Sequence, residues 1–193
     1  MNDLIAELER VRRSVGDDDA RKVVELRRSY DADVADVWDA CTNPERIPRW
    51  FLPISGDLHL GGRFQLEGNA GGEITACEPP SRLAVTWEFG GDRSHVFLDL
   101  SGNGATELRL RHAVGDNDHW AQFGPGAVGV GWDLTLLGLA AHLPGGETVP
   151  KRMPPADVMR RSATDWGAAH AASGVPAAAA EEAAARTSAF YAP

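Results

Sequence analysis

The segment from Gly124 to Leu143, GPGAVGVGWDLTLLGLAAHL, is the longest apolar run in the chain and constrains the fold most. Its apolar residues recur in steps of four, four, three and four, a spacing that predicts one buried face of an α-helix. The run contains Asp133 and several glycines, so we predict a helix in the protein core and not a membrane span. The residues on the predicted face are Val128, Trp132, Leu136, Leu139 and Leu143.

The glycines of this predicted helix need an explanation. Each of Gly129, Gly131 and Gly138 costs about 1 kcal/mol relative to alanine in a helix interior. We therefore expect them to lie where a strand or a bound molecule approaches closely. Asp133 follows Trp132 and can reach either the mouth of a cavity or solvent, of which we expect solvent.

From Leu58 to Val114 the apolar residues alternate with polar ones, and turn residues such as Gly61–Gly62 and Gly90–Gly91 separate the short runs. This pattern predicts an antiparallel meander with one apolar face. An apolar sheet face needs a cover, and the Gly124–Leu143 helix is the segment suited to provide it.

The two ends of the chain differ in composition from this middle part. Spacing of apolar residues within MNDLIAELERVRRSVG predicts an N-terminal helix, and Lys22–Tyr30 is predicted to be a strand followed by two short helices. An Ala-rich tail predicts two further helices, of which the second begins after Pro176. We therefore predict an N-terminal extension (1–21), a main domain (22–144) and a C-terminal helical extension (145–193).

Composition excludes several classes of partner. The net charge of −9 disfavours nucleic acid and anionic membrane surfaces, because both select clusters of Lys and Arg. The start of the chain lacks the pattern of a secretory signal, which predicts a cytoplasmic location. The histidines and the two cysteines, Cys41 and Cys77, lack metal-ligand spacing, so we expect neither a metal site nor a cofactor.

Three stretches carry a resemblance to a known family. They are RSYDADVADVWDACTNPERIPRWFLP, DLHLGGRFQLEGNAGGEITACEPPSRLAVTWEF and GVGWDLTLLGLAAHL. Together they resemble the domain homologous to the C-terminal part of the activator of Hsp90 ATPase (AHSA1), as found in bacterial single-domain members. The resemblance covers roughly Val23 to Leu143, and the wider superfamily is START-like (SRPBCC).

The resemblance implies an α+β helix-grip fold, in which a curved antiparallel sheet of six to seven strands wraps around a long C-terminal helix. It leaves three functions open. The favoured one is non-enzymatic binding of a small hydrophobic ligand. The alternatives are a protein-interaction role, as a chaperone regulator or a homodimer, and a cyclase- or aromatase-like enzyme. Fold likeness alone does not choose among them.

His112 is the most informative polar residue, because it stands on the predicted inward face between Leu110 and Val114. It is either a ligand contact or proton donor in a cavity, or a core histidine held by hydrogen bonds. Aromatic side chains either line a cavity or fill the space between helix and sheet. The candidate cavity residues are His112, Trp87, Phe89, Phe64, Leu110, Trp132, Leu136 and Trp50.

Overall fold

The period-two part of the sequence forms one antiparallel sheet in the computed structural model, which describes residues 4–144 and 154–192. The alternation of apolar and polar residues gives each central strand one buried face. The strands are β1 (Arg12–Asp18), β2 (Arg21–Tyr30), β3 (Ile54–Gly56), β4 (Arg63–Leu66), β5 (Gly71–Glu78), β6 (Arg82–Phe89), β7 (Asp92–Gly102) and β8 (Thr106–Gly115).

The strand order in the sheet is β1-β2-β8-β7-β6-β5-β4-β3, so only the β2–β8 pairing joins distant parts of the chain. The register places His112 of β8 opposite Val24 on one side and Val96 on the other. Trp87 of β6 lies opposite Ser94 of β7. These pairings bring Trp87, Ser94 and His112 onto neighbouring strands of the same inner face.

Seven helices accompany the sheet in the described residues, and α5 is the long apolar helix that the sequence predicts. Trp132 and Leu139 of α5 are buried in the main core with Leu98, Leu108 and Leu110 of the sheet. The helix-grip α+β fold is therefore confirmed. The helices are α1 (Leu4–Glu9), α2 (Val34–Thr42), α3 (Ile47–Trp50), α4 (Asp118–Phe123), α5 (Gly126–His142), α6 (Ala156–Ala172) and α7 (Ala177–Tyr191).

The N-terminal segment differs from the prediction of a single helix. Helix α1 ends at Glu9, and residues Arg12–Asp18 form a strand that pairs with β2. The helical spacing misleads here because Val11 and Val15 also fit the period of a strand. With β1 and the short β3, the sheet has eight strands, more than the expected six to seven.

The C-terminal helices pack directly on α5, which explains two of its four glycines. A Cβ at Gly129 would lie 2.2 Å from Cε2 of Trp166 in α6, and one at Gly126 would lie 2.6 Å from Oγ1 of Thr187 in α7. At Gly138 the near neighbour is the carbonyl oxygen of Trp50, at 2.7 Å. The expectation of a strand or ligand at Gly129 and Gly138 is therefore wrong, because other helices approach there.

The tail is an integral part of the core. Trp166 of α6 is fully buried within the main hydrophobic cluster, whereas Phe190 of α7 is 62% exposed. In the described ranges, no helix combines the length and apolar character needed to cross a bilayer.

Candidate functional site

His112 lies at the centre of the concave inner face, buried between β7 and α5. Its Nδ1 accepts a hydrogen bond from Nε1 of Trp132 at 3.0 Å, and its Nε2 is 2.8 Å from Oγ of Ser94. Ser94 Oγ in turn donates to the backbone carbonyl of Trp87 at 3.0 Å. A string of hydrogen bonds thus connects α5 to strands β8, β7 and β6.

The donors in this string fix the tautomer of His112. The indole of Trp132 can only donate, so Nδ1 must be unprotonated and the neutral ring carries its proton on Nε2, which donates to Ser94. Burial, assisted by the nearby His95, lowers the pKa of His112 to about 3. Both ring nitrogens are occupied, and the imidazole is neutral near pH 7.

Two of the aromatic candidates, Trp87 and Trp132, flank this histidine, and a third, Phe64, packs against Trp87. The ring of Trp87 lies 5.1 Å from that of Trp132 and 6.2 Å from that of Phe64, measured between centroids. The Trp87 and Trp132 rings lie 6.1 and 5.8 Å from the imidazole. His112, Trp132, Trp87 and Phe64 therefore form one continuous group.

The other four candidates lie apart from that group or at its margin. Leu110 and Leu136 are buried in the main core. Trp50 ends α3, packs beside Gly138 and donates its indole N–H to the carbonyl of Ala40 at 3.0 Å. Phe89 lies at the hairpin end of β6 and is 59% exposed, so the structure does not bring it to the inner face.

The inner face is only partly covered at the β3–β6 end of the sheet. We call this the open end and define it by five partly exposed apolar residues that pack around the buried Phe64, Leu66 and Ile74. Gly129 faces α6, and Gly131 lies on the opposite side of α5. A Cβ at Gly131 would have no heavy atom of a neighbouring segment within 4 Å. The defining residues of the open end are Phe51, Leu52, Leu58, Val85 and Trp87.

The opposite end of the face, at β1 and β2, is covered by α1 and α6, and we call it the closed end. Asp133 of α5 is fully buried there, which corrects the expectation that it points to solvent. Nε of Arg13 lies 3.0 and 3.1 Å from its two carboxylate oxygens, and Ser162 and Trp166 donate to it at 2.5 and 3.0 Å. Burial raises the pKa of Asp133, against the opposing effects of these three side chains.

Sequence reasoning missed Ser94, although its signal is present. Ser94 precedes Val96 and Leu98 at a spacing of two, which places it on the inward face beside His112. The Arg13–Asp133 pair has no comparable signal, because its partners are 120 positions apart. Among residues 4–144 and 154–192, no group of His, Cys, Asp and Glu has the arrangement of a metal site.

Comparison with known families gives a match over residues 31–144 to the family described as activator of Hsp90 ATPase homolog 1-like protein. This segment runs from the end of β2 through α5, so it contains most of the inner face, including the open end. Comparison with functionally curated proteins gives no significant match.

Solved structures give further likenesses. The crystal structure of CalU16 from Micromonospora echinospora is 38% identical, with a TM-score of 0.71, and the alignment covers 86% of this chain and 99% of CalU16. DynU16, a protein in the dynemicin biosynthetic locus, is 23% identical with a TM-score of 0.54, covering 75% of this chain and 60% of DynU16. The Aha1 dimer from Colwellia psychrerythraea is 18% identical with a TM-score of 0.53, covering 65% and 98%. The last two likenesses concern the fold alone.

Proposed function

The chain belongs to the activator of Hsp90 ATPase homolog 1-like family, and we propose that it is a non-enzymatic binding protein for a small hydrophobic molecule, held at the open end of the inner face. The observation that carries this proposal is the partial exposure of Phe51, Val85 and Trp87, which pack together on the apolar inner face of a curved sheet. Small-molecule sites are concave and mainly apolar, with few polar groups.

The surroundings of Gly131 support the same location. One helical step of about 100° separates Gly131 from Trp132, on the side of α5 away from α6. Because nothing lies within 4 Å of its missing Cβ, the helix surface at Gly131 is uncovered beside the aromatic group. A ligand between α5 and β6 would bury this backbone together with the ring of Trp87.

The state of His112 supports binding over catalysis. A general base needs a pKa near the working pH and a free lone pair. His112 has a pKa of about 3, and its Nδ1 lone pair accepts from Trp132. The imidazole therefore serves to orient Trp132 and Ser94, and we expect His112→Gln to retain ligand binding.

Titration of the full chain with Prodan, a neutral naphthalene fluorophore, tests the proposal. Saturable binding with a blue-shifted emission is expected. Gly131→Leu fills the uncovered space with a helix-favouring side chain and should weaken binding at least tenfold without loss of stability. Ala185→Leu adds the same side chain at an exposed position of α7 and should bind as the parent does.

The absence of saturable binding in the parent chain would sink the proposal. If Gly131→Leu and Ala185→Leu weaken Prodan binding equally, the open end is not the binding site. Native mass spectrometry of the protein purified from its own host would identify the natural ligand as added mass that the Gly131→Leu variant lacks.

A protein-interaction role is the second candidate, favoured by one exposed aromatic surface. The ring of Phe190 is 62% exposed and lies 5.4 Å from that of Phe123. Exposed aromatic residues are typical anchors of protein interfaces. Light scattering should show self-association that Phe190→Ser abolishes, and a bacterial Hsp90 ATPase assay tests the chaperone alternative. If the protein is a monomer and does not change the Hsp90 ATPase rate, the protein-interaction role is wrong.

A further inference from the structure

Trp87 differs from the other hydrogen-bonding side chains around the open end, because its indole N–H has no acceptor within the described part of the protein. In the described part of the chain, the indole N–H of Trp87 makes no hydrogen bond, and the side chain is partly exposed. By contrast, Trp132 donates to His112 and Trp50 donates to the Ala40 carbonyl. The hydroxyl of Thr135 donates to the Gly131 carbonyl at 2.8 Å.

The walls of the open end carry no counter-charge on the strands. The inward positions of β4 to β6 are apolar, whereas the charged side chains of these strands lie on the outer face or at strand ends, where Arg63 pairs with Glu88 at 2.6 Å. An ionised ligand group placed against these strands would lose its hydration without gaining a partner from them, which is costly. Among the inward residues of these strands are Phe64, Leu66, Ile74, Leu83, Val85 and Trp87.

Aromatic rings dominate the same walls. Trp87 lies between Phe64 and Trp132, and Trp50 stacks on Phe51 at 5.7 Å between centroids. Flat aromatic molecules gain offset-stacked or edge-to-face contacts with such rings beyond the burial of area. Flexible aliphatic chains gain only the burial and lose more rotational freedom.

From these three observations we infer that the ligand is an uncharged, planar aromatic molecule with a hydrogen-bond acceptor, and that the Trp87 indole N–H selects the acceptor. This inference rests on the proposed function and specifies its ligand class. Trp87 is then the specificity-determining residue of the site. A buried donor left without a partner penalises ligands that lack an acceptor.

Three naphthalenes that differ in one substituent test this inference on the full chain. Acetylnaphthalene is neutral with an acceptor, ethylnaphthalene is neutral without one, and naphthoate is anionic. Binding is measured by displacement of Prodan. We expect acetylnaphthalene to bind about fivefold more tightly than ethylnaphthalene, although it is less hydrophobic, and at least tenfold more tightly than naphthoate.

Trp87→Phe should reduce the ratio of acetylnaphthalene to ethylnaphthalene affinity to one or below, while ethylnaphthalene still binds. Trp120→Phe is the matched control, because Trp120 lies in α4, packs beside His170 of α6 and is outside the open end, and it should leave the ratio unchanged. In proton–nitrogen NMR spectra of the parent chain, the Trp87 indole resonance should move downfield with acetylnaphthalene but not with ethylnaphthalene. This second measurement does not depend on the folding of a variant.

The outcomes separate the two proposals. If none of the three naphthalenes displaces Prodan and Prodan itself does not bind, the proposed function fails. If all three bind equally, or if naphthoate binds most tightly, the ligand class is wrong while hydrophobic binding stands. An unchanged ratio in Trp87→Phe, or an indole resonance that does not respond, overturns the assignment of Trp87.

Discussion

The closed and open ends of the inner face belong to the same sheet and the same helix, α5, yet their inward side chains differ in polarity and in how far they are covered. At the closed end, charged side chains point inward: Arg13 pairs with Asp133, and Arg28 pairs with Glu7 of α1. Helices α1 and α6 cover these ion pairs. At the open end the inward residues are apolar, and Trp87 and Val85 stay partly exposed.

The difference indicates which end is free to bind. A buried ion pair needs a complete set of partners, because an uncompensated charge in the interior is costly. The closed end therefore requires its covering helices, which bury Arg13, Arg28 and Asp133. An apolar wall tolerates either solvent or a hydrophobic molecule, so ligand binding is expected where the walls are apolar.

The largest expected effect concerns the carboxylate at the closed end. Asp133→Ala removes the partner of Ser162 and Trp166 and the nearer carboxylate of the buried Arg13, which keeps Asp165 at 3.5 Å as its remaining counter-charge. The free energy of unfolding should fall by about 3–5 kcal/mol. Urea denaturation followed by circular dichroism measures it.

Two variants sharpen this result. Arg12→Ala breaks an ion pair with Glu107 in which the arginine side chain is 70% exposed, and it should cost less than about 1 kcal/mol. The double variant Arg13→Met with Asp133→Ala removes both buried charges and should be more stable than Asp133→Ala alone. A loss for Asp133→Ala as small as that for Arg12→Ala would show that the closed end is not held by its charges.

The contrast between the two ends could be predicted only in part. Period-two alternation placed His112 and Trp87 on the inner face, and helical spacing placed Trp132 against them, because these patterns follow from local geometry. The exposure of Phe89 follows from its place at a hairpin end, which alternation alone does not reveal. Asp133 could not be placed, because its partners come from β1 and α6 and depend on how distant segments pack.

The next prediction concerns His112, which borders the open end and makes the free energy of unfolding depend on pH. The folded protein lowers the pKa of His112 to about 3, from an ordinary value of 6.5. Between these two pKa values, the unfolded chain binds a proton at His112 that the folded chain does not bind. His112 therefore lowers the free energy of unfolding little above pH 6.5 and progressively more as the pH falls below 6.5. The contribution of His112 to this loss between pH 6.5 and 4.5 should be about 2 kcal/mol.

His112→Gln isolates that contribution. The amide can still accept from Trp132 and donate to Ser94, but it does not titrate. Urea denaturation of both chains at pH 6.5 and 4.5 should show a loss about 2 kcal/mol smaller in the variant, since the remaining titratable groups contribute equally. Identical losses would mean that the imidazole can take up a proton while folded, which would restore it as an acid–base candidate.

The last comparison concerns two glycines of α5 that lie on opposite sides of the helix. Gly129→Ala places a Cβ 2.2 Å from Cε2 of the fully buried Trp166, so one side chain or the helix must shift, at a cost of about 1–3 kcal/mol. Gly131→Ala meets no heavy atom within 4 Å and should instead stabilise the helix by up to about 1 kcal/mol. Thermal denaturation of the two variants should therefore move the midpoint in opposite directions. A destabilising Gly131→Ala would mean that the helix side near the open end is already filled, and it would weaken the case for a ligand there.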